Sequence, residues 1–300
     1  MFQYRIYGLK LDSDIPFRQL IEDSSDTAPD IILRKSEPSP ALLDLSKDSF
    51  FDMDPKFCWF HNTTLFCWIE DGTRIFYSPQ ENANEEYLKT YILGYALSML
   101  FYQRKMPAIH CSGLRKGDHA ILISGKSGSG KSTMASLFLD NGYDLMADDV
   151  LVTAVRDNTV YGYPAFPWTK LQRSIAEKRF PNLANLIYID EDKDKFLVPW
   201  EGEFRTDSAV VDSMYIIIVA PPDTELRITE VTGPDKIMLI LDNMFPRREI
   251  LLDKNNPLAV SMAAKLASSL RLYAVFRPDG QDTAEKMYQI INETIDSREK

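Results

Sequence analysis

Hydrophobic and polar positions along the first eighty residues follow the two-residue period of β-strands. The segments FQYRIYGLKL and DIILRK alternate or run apolar. The segment FCWFHNTTLFCWIEDGTRIFYSP indicates successive hairpins that turn at Asn62 and at Asp71–Gly72. The proline- and serine-rich stretch SEPSPALLDLSKD is typical of an irregular connection. We therefore predict a β-rich N-terminal region over residues 1–80.

The hydrophobic period changes to that of a helix near Asn84. In NEEYLKTYILGYALSMLFYQRK, apolar and aromatic side chains recur every three to four residues, acidic residues open the segment, and Arg104–Lys105 close it. Pro107 ends the predicted helix because proline cannot continue the helical hydrogen-bond pattern. We place the start of a second domain at residue 81 and extend it to residue 300.

Strands and helices alternate in this second domain. AIHCSGL and HAILISG predict a hairpin, KSTMASLFLDNG a helix, and YDLMADDVLVTAV a strand that we expect beside HAILISG. Adjacent residues on a strand face opposite sides, so the pair DD is expected at a strand end. SMYIIIVAP predicts a strand, LAVSMAAKLASSLRLYAVF a helix and a strand, and TAEKMYQIINETIDS a helix, whereas residues 165–210 show no clear pattern. This order indicates an α/β fold.

Composition and charge argue against several classes of protein. Hydrophobic residues make up 45% and charged residues 26% of the chain, as in ordinary globular proteins. The net charge of −10 argues against a nucleic-acid partner, which requires basic surfaces. The apolar segments are too short to cross a membrane, and the N-terminus does not have the pattern of a signal peptide. Three widely separated cysteines predict neither disulfides nor zinc, so we expect a cytoplasmic protein.

The stretch ISGKSGSGKSTMASLF has the pattern of a phosphate-binding loop. Glycines let backbone N–H groups converge on phosphate oxygens, and the following helix directs its positive end at the same place. Lys131 supplies a positive charge, and the Ser132 hydroxyl is a ligand type suited to Mg²⁺. An accidental glycine-rich turn is the alternative, which the flanking strand and helix disfavour. The residues expected to bind ATP are Gly125, Ser127, Gly128, Ser129, Gly130, Lys131, Ser132 and Thr133.

A pair of carboxylates and a histidine are further candidates for chemistry. Asp148–Asp149 follows Lys131 by only seventeen residues. One carboxylate beside Mg²⁺ can hold the metal, and the other can accept the proton of an attacking hydroxyl. A turn-forming acidic pair is the alternative, but the apolar VLVTAV that follows favours a continuing strand. On chemistry alone, His110 is equally well explained as a core residue or as a catalyst.

Residues 109–150, IHCSGLRKGDHAILISGKSGSGKSTMASLFLDNGYDLMADDV, resemble the catalytic core of the HPr kinase/phosphorylases. The resemblance implies a fold related to ATP-dependent phosphoenolpyruvate carboxykinase and phosphorylation of a serine hydroxyl on a protein, with ATP and Mg²⁺ as cofactors. It makes Lys131 and Ser132 the phosphate and Mg²⁺ residues. It also implies that Asp148 is the base, that Asp149 is its acidic neighbour and a metal ligand, and that His110 is an active-site histidine.

One signature of that family, EIRG, is absent downstream. The segment DKDKFLVPWEGEFRTDSAVVDSMYIIIV stands in its place. Its residues Lys193, Lys195 and Arg205 are either cations for the transferring phosphoryl group or part of a solvated loop. Arg247 and Arg248 similarly either meet an anionic group or belong to a solvated turn.

The N-terminal stretch YRIYGLKLDSDIPFRQL resembles the shorter HPr-kinase-like proteins of lasso-peptide biosynthesis. That resemblance implies a precursor peptide as partner, phosphorylated on its C-terminal serine. Two alternatives stay open. One is an HPr-type kinase with a globular protein substrate, and the other is a nucleotide-sensing regulatory module without transfer activity. The oligomeric state also stays open, a homo-oligomer included.

Overall fold

Two large β-sheets and the helices packed on them dominate the part of the chain that the computed structural model describes. That part comprises residues 1–173, 176–177, 180–190, 194–252 and 256–297. No helix in these ranges has the length and apolar character needed to cross a membrane. The mixture of sheets and helices confirms the predicted α/β class.

The N-terminal region folds into an eight-stranded sheet in the order β3-β1-β2-β4-β8-β7-β6-β5. The hairpin turns at Asn62 and Asp71–Gly72 are confirmed. The stretch FQYRIYGLKL forms two strands, because Tyr7 and Gly8 both adopt positive φ and reverse the chain. The strands are β1 Phe2–Ile6, β2 Leu9–Ser13, β3 Ile21–Glu22, β4 Ile31–Lys35, β5 Phe51–Met53, β6 Phe57–His61, β7 Leu65–Glu70 and β8 Arg74–Pro79.

The stretch predicted as an irregular connection contains a short helix, α1, over Pro40–Leu45. The prediction was wrong here because the Ser39 side chain accepts a hydrogen bond from the Leu42 amide and caps the first turn. Proline at the first helical position suits the start of a helix, although the same residue is a breaker elsewhere.

The predicted helix that follows Asn84 is confirmed. It consists of α2 over Glu85–Tyr91, a π-helical segment over Ile92–Ala96, and α3 over Leu97–Gln103. The Asn84 side chain accepts hydrogen bonds from two amides of the first turn. This helix contributes buried side chains to a hydrophobic core that also includes residues of both large sheets. It therefore joins the two sheets in one packed interior.

The second large sheet has the order β10-β9-β11-β12-β16-β18-β17, and β10 also pairs with β16. The strand with the acidic pair, β11, therefore pairs with β9. Our expectation that it lies beside β10 was wrong, because β9 and β16 already occupy the two edges of β10. The remaining strands are β9 Ala108–Lys116, β10 His119–Gly125, β11 Asp144–Arg156, β12 Thr159–Tyr163, β13 Trp168–Gln172, β14 Ile187–Asp190, β15 Lys195–Pro199, β16 Ala209–Ala220, β17 Arg227–Val231 and β18 Arg271–Pro278.

Helices cover both faces of this sheet. On one face, Phe138, Met287 and Ile291 of α4 and α8 pack on apolar side chains of β10, β16 and β18. On the other, α7 packs against β11 and β12. The helices are α4 Lys131–Asp140, α5 Gly233–Asn243, α6 Arg247–Leu252, α7 Pro257–Ser269 and α8 Ala284–Asp296.

Residues 165–210, which show no clear pattern in the sequence, contain a small third sheet in the order β13-β15-β14. A 3₁₀ turn at Leu183–Asn185 precedes β14. These strands are four or five residues long, and the pairing of β14 with β15 shifts register. Short strands with irregular pairing leave too few alternating positions for a period to be recognised.

Candidate active site

A glycine-rich loop connects β10 to α4, as the sequence predicts. Gly128 and Gly130 have φ of +82° and +101°, a region that side chains other than glycine rarely adopt. At Gly125, an added Cβ would lie 2.5 Å from Ser129 Oγ and 2.8 Å from the Ile217 carbonyl oxygen. The loop conformation therefore requires glycine at these positions.

The N-terminus of α4 lies at the end of this loop. The N-cap residue is Gly130, which provides no side-chain hydrogen bond to the first helical amides. Those amides, together with the helix dipole, form a site suited to an anion. Ser132 and Thr133 are exposed in the first turn and Ser127 is exposed in the loop. Ser129 is buried, and its Oγ has no hydrogen-bond partner among the described residues.

Arg277, at the end of β18, fixes the loop from outside. Its Nε donates a hydrogen bond to the Ser129 carbonyl oxygen at 2.7 Å, and its Nη2 donates to the Gly128 carbonyl oxygen at 3.3 Å. These two hydrogen bonds hold the Gly128 and Ser129 carbonyls towards Arg277. The sequence gives a weak signal for this residue, a single arginine at the end of the apolar strand LRLYAVF.

His110 on β9 lies between Lys131 and Asp149. The distance from its Nε2 to Lys131 Nζ is 3.3 Å, and its Nδ1 lies 3.5 Å from Asp149 Oδ1. A lysine ammonium only donates hydrogen bonds, so Nε2 accepts and the imidazole proton resides on Nδ1, facing Asp149. Burial and then the charge of Lys131 lower the pKa of His110, which is therefore neutral at pH 7.

The acidic pair lies in the middle of β11, which continues to Arg156. The expected strand end at Asp149 was wrong. Asp149 instead has φ of +110°, an unusual value for a residue other than glycine. This backbone irregularity interrupts the alternation of the strand, so Asp148 and Asp149 line the same cavity. A local distortion thus achieves what we had expected from a strand end.

Lys170 on β13 forms an ion pair with Asp149, with 2.6 Å between Lys170 Nζ and Asp149 Oδ2. Burial alone would raise the pKa of the Asp149 carboxyl. The charges of Lys170 and Lys131, together with that of His110 at the acidic pH where it is protonated, outweigh burial and hold the pKa of Asp149 well below its usual range. The sequence gives no signal for Lys170, because it lies in the segment without a clear pattern.

Asp148 is held by two neutral donors. Its Oδ1 accepts a hydrogen bond from Ser112 Oγ at 2.9 Å, and its Oδ2 accepts one from the Lys170 amide at 2.8 Å. Neither donor carries a charge, so Asp148 is oriented without being neutralised by an ion pair. This differs from Asp149, which is bound directly to an ammonium group.

Two cavities meet at Asp148 and Lys170. The first, which we call the loop-side cavity, includes Ser132 and Ser136 of α4 in its lining. The second, which we call the inner cavity, extends from Asp148 and Asp149 towards Gln19 of the N-terminal region. Asp148 is therefore accessible from the helix that follows the glycine loop and from the N-terminal region.

The other cations considered from the sequence lie elsewhere. Arg205 pairs with Asp118 and Asp207 at the end of β10 opposite the glycine loop. Arg247 pairs with Asp242, and Lys195 begins β15. Lys193 and the side chain of Arg248 lie outside the described residues. Among the described residues, the cations that contact the site are Lys131, Lys170 and Arg277.

Comparisons with known proteins show a distant structural likeness. No protein-family model matches the sequence. No curated protein matches it either. Among solved structures, the HPr(Ser) kinase/phosphatase from Coxiella burnetii aligns with a TM-score of 0.34 and 14% sequence identity. The alignment covers 64% of this chain and 99% of that chain.

Proposed function

We propose that the protein is a Mg·ATP-dependent kinase that transfers the γ-phosphoryl group to a serine hydroxyl of a peptide. The supporting observation is the series of contacts from Lys131 through His110 to Asp149, at 3.3 and 3.5 Å. These contacts place the phosphate-type loop next to a pair of carboxylates. In keeping with the resemblance of its N-terminal stretch, the proposed acceptor is the C-terminal serine of a lasso-peptide precursor, and the proposed fold type is that of the HPr kinases.

The loop residues would bind the phosphates of ATP. The amides at the N-terminus of α4 point to where an anion would be held, and Lys131 adds a full positive charge to that position. The Arg277 contacts to two loop carbonyls keep the amides oriented before the nucleotide arrives. This preorganisation reduces the cost of ordering the loop during binding.

Ser132 and Asp149 are the proposed Mg²⁺ ligands, and Mg²⁺ would supply charge neutralisation at the phosphates. The donors fit this ion, because Mg²⁺ in phosphotransferases is held by hydroxyl and carboxylate oxygens together with phosphates. Lys170 is bound to Asp149 in the structure. If Mg²⁺ is bound, the Asp149 carboxylate would hold it, and Lys170 would supply a second positive charge beside that carboxylate.

Asp148 is the proposed base. The serine oxygen forms a bond to the γ-phosphorus, the bond between that phosphorus and the β–γ bridging oxygen breaks, and ADP leaves with the electron pair. The hydroxyl proton passes to Asp148. The Asp148 carboxylate lines both cavities, and neither of its hydrogen bonds is part of an ion pair. An acceptor hydroxyl would therefore approach Asp148 from the side opposite the glycine loop. Neutral His110 helps to hold Lys131 in place.

Intact-mass spectrometry tests the proposal. The protein is incubated with Mg·ATP and, in parallel, with a serine-terminated lasso-type precursor peptide or with HPr. We expect one phosphate on the terminal serine of the peptide and a loss of about 10²- to 10⁴-fold in rate for Asp148→Asn. Asp144→Asn, at the start of the same strand, is the matched control and should transfer normally.

The other outcomes discriminate between the alternatives. Transfer to HPr alone would assign the protein to the kinases with globular substrates. Tight ATP binding without transfer to either acceptor would contradict the kinase proposal and favour a nucleotide sensor. A sensor does not need the base Asp148, so Asp148→Asn would then leave ATP binding unchanged.

A further inference from the structure

A wide groove, which we call the aromatic groove, opens where the N-terminal sheet meets α2 and the π-helical segment. Its volume is about 950 Å³, which is ample for a side chain together with the peptide backbone that carries it. Strands β5 and β6 and the loop after β8 line one part of it, and α6 lines another. Among the described residues of its lining, none is a residue proposed above to bind ATP or Mg²⁺ or to accept the proton.

The apolar side chains that line the aromatic groove are all aromatic in the described part of the chain. They are Phe50, Phe51, Phe60, Tyr91 and Tyr95. The ring centroid of Tyr95 lies 5.6 Å from that of Phe60 and 5.8 Å from that of Tyr91. The face of an aromatic ring carries partial negative charge and attracts a cation placed over it. A groove lined by several such rings therefore suits a positively charged group.

The charges on the lining favour the same kind of ligand. Glu81 is exposed in the loop between β8 and α2, whereas Glu249 of α6 is buried, with 7% of the residue exposed. No lysine or arginine is among the described residues of the lining. Two carboxylates repel a phosphate group and attract an ammonium or guanidinium group. The groove is therefore a poor site for a nucleotide and a suitable one for a basic side chain.

Aromatic contacts connect the groove to the candidate active site. The ring centroid of Tyr95 lies 4.9 Å from that of Phe245, which lies 6.2 Å from that of His110. Gly94, the neighbour of Tyr95 in the π-helical segment, lines the inner cavity together with Asp148. One helical segment thus contributes to both places, and a single short peptide could reach from one to the other.

We propose that the aromatic groove binds a lysine or arginine side chain of the peptide substrate. The cation would lie among the aromatic rings with Glu81 and Glu249 as counter-charges, while the serine of the same peptide lies at Asp148. An extended peptide advances about 3.3 Å per residue, so we expect the basic residue about three to six positions from the serine. This inference rests on the proposed kinase function and adds to it a substrate class, serine peptides with a basic residue nearby.

Two synthetic peptide libraries test this assignment. One has serine at the C-terminus and the other has serine in the interior, with the surrounding positions randomised. Phosphorylated products are identified by mass spectrometry after incubation with Mg·ATP. We expect lysine and arginine to be enriched at the distance from serine given above. The best peptide is then compared with a copy that has norleucine in place of the basic residue. The neutral copy should have a KM about tenfold higher and an unchanged kcat.

Glu81→Lys and Glu22→Lys are a matched pair of variants. Both residues are exposed, and Glu22 lies on β3, at the opposite edge of the eight-stranded sheet from β5. The two substitutions change the net charge equally, but only Glu81→Lys adds a positive charge to the groove. It should raise the KM for the basic peptide about tenfold and leave the KM for the neutral copy and for ATP unchanged. Glu22→Lys should behave as the unmodified protein.

A second pair of variants tests the aromatic rings. Phe50 and Phe2 are both exposed, and Phe2 lies on β1, away from the groove. Phe50→Leu keeps an apolar side chain but removes a ring that can interact with a cation. It should raise the KM for the basic peptide about threefold and that for the neutral copy much less. Phe2→Leu should change neither.

The failures are distinguishable. If the unmodified protein phosphorylates neither library, the proposed kinase function is wrong, and this inference fails with it. If it phosphorylates peptides without a preference for basic residues, only the groove assignment is overturned. Equal losses in Glu81→Lys and Glu22→Lys would also overturn it, because the overall negative charge of the protein would then explain the preference. Phe50→Leu and its control locate the basic residue even if Glu81→Lys does not fold.

Discussion

The two halves of the candidate site, the glycine loop and the carboxylate pair, are constructed in opposite ways. The loop is one contiguous stretch whose positive φ values fall on glycines. The carboxylate pair depends on residues from β9 and β13, and its positive φ falls on Asp149. Such a conformation costs on the order of 1–3 kcal/mol in a residue other than glycine and persists only where the surroundings impose it. One half is locally encoded, and the other depends on tertiary structure.

The two halves should therefore differ in the substitutions that they tolerate. The loop should keep its conformation as long as its glycines and Arg277 are present. The carboxylate pair should lose its geometry when a single distant partner is removed. The following substitutions test that contrast, beginning with the largest expected effect.

Lys131→Met should lower the rate of phosphoryl transfer about 10³-fold, because it removes a preorganised charge from the phosphates. Lys126→Met is the matched control, since Lys126 belongs to the same loop and is exposed. We expect it to change the rate by no more than about twofold. Single-turnover transfer from radiolabelled ATP measures both. Equal losses of transfer rate in the two variants would show that the total positive charge of the loop matters and the position of Lys131 does not.

Lys170→Met should destabilise the protein by about 2 kcal/mol at pH 7, because it leaves the Asp149 carboxylate without its ammonium partner. The pKa of Asp149 is lower in the folded protein than in the unfolded chain, where it is about 3.9. The ionised carboxylate therefore stabilises the fold fully above that unfolded value. This stabilisation is lost as the pH falls from the unfolded pKa through the folded one. The variant should therefore lose less stability than the unmodified protein as the pH falls below about 5, because the pKa of its Asp149 is depressed less.

Urea denaturation at several pH values measures this effect. Lys286→Met, an exposed lysine on α8, is the control and should retain the pH dependence of the unmodified protein. If Lys170→Met had the same acid sensitivity as the unmodified protein, Lys170 would not be the partner that controls Asp149.

Arg277→Met should weaken ATP binding about tenfold, because the hydrogen bonds to the Ser129 and Gly128 carbonyls are lost and the loop must be ordered by the nucleotide. Arg271→Met, at the exposed start of the same strand, is the matched control. Isothermal titration calorimetry gives both affinities. An unchanged affinity for Arg277→Met would mean that the glycine loop is ordered by its own sequence.

The smallest expected effect is a change in the titration of His110. Its NMR signals should titrate below the ordinary histidine pKa of about 6.5. Lys131→Met should move the midpoint upwards, because it removes a neighbouring positive charge. Lys126→Met should leave it in place. If the midpoint did not respond to Lys131→Met, the charge of Lys131 would not control the pKa of His110.

The sequence predicts the local half of the site well and the other half poorly. The hairpin, the glycine loop and the helix that follows are confirmed, because their signals are short-range. The position of Asp148 and Asp149 on β11 follows from the sequence, but the strand that β11 pairs with does not, since pairing depends on which sheet edges are free. Lys170 and Gln19 are distant in sequence, and neither belongs to a periodic pattern.

The position of β9 has a practical consequence for inhibitors. Ser112 pairs with Ile123 on one side and with Asp148 on the other, so one strand separates the glycine loop strand from the carboxylates. Neighbouring strands lie about 5 Å apart, so the backbones of β10 and β11 are at most about 10 Å apart. Both are hydrogen-bonded into the same sheet, and loop movement cannot change that separation. A compound that joins a nucleotide to a peptide mimic would therefore need a linker of one fixed length, and a series of linkers should show a single sharp optimum.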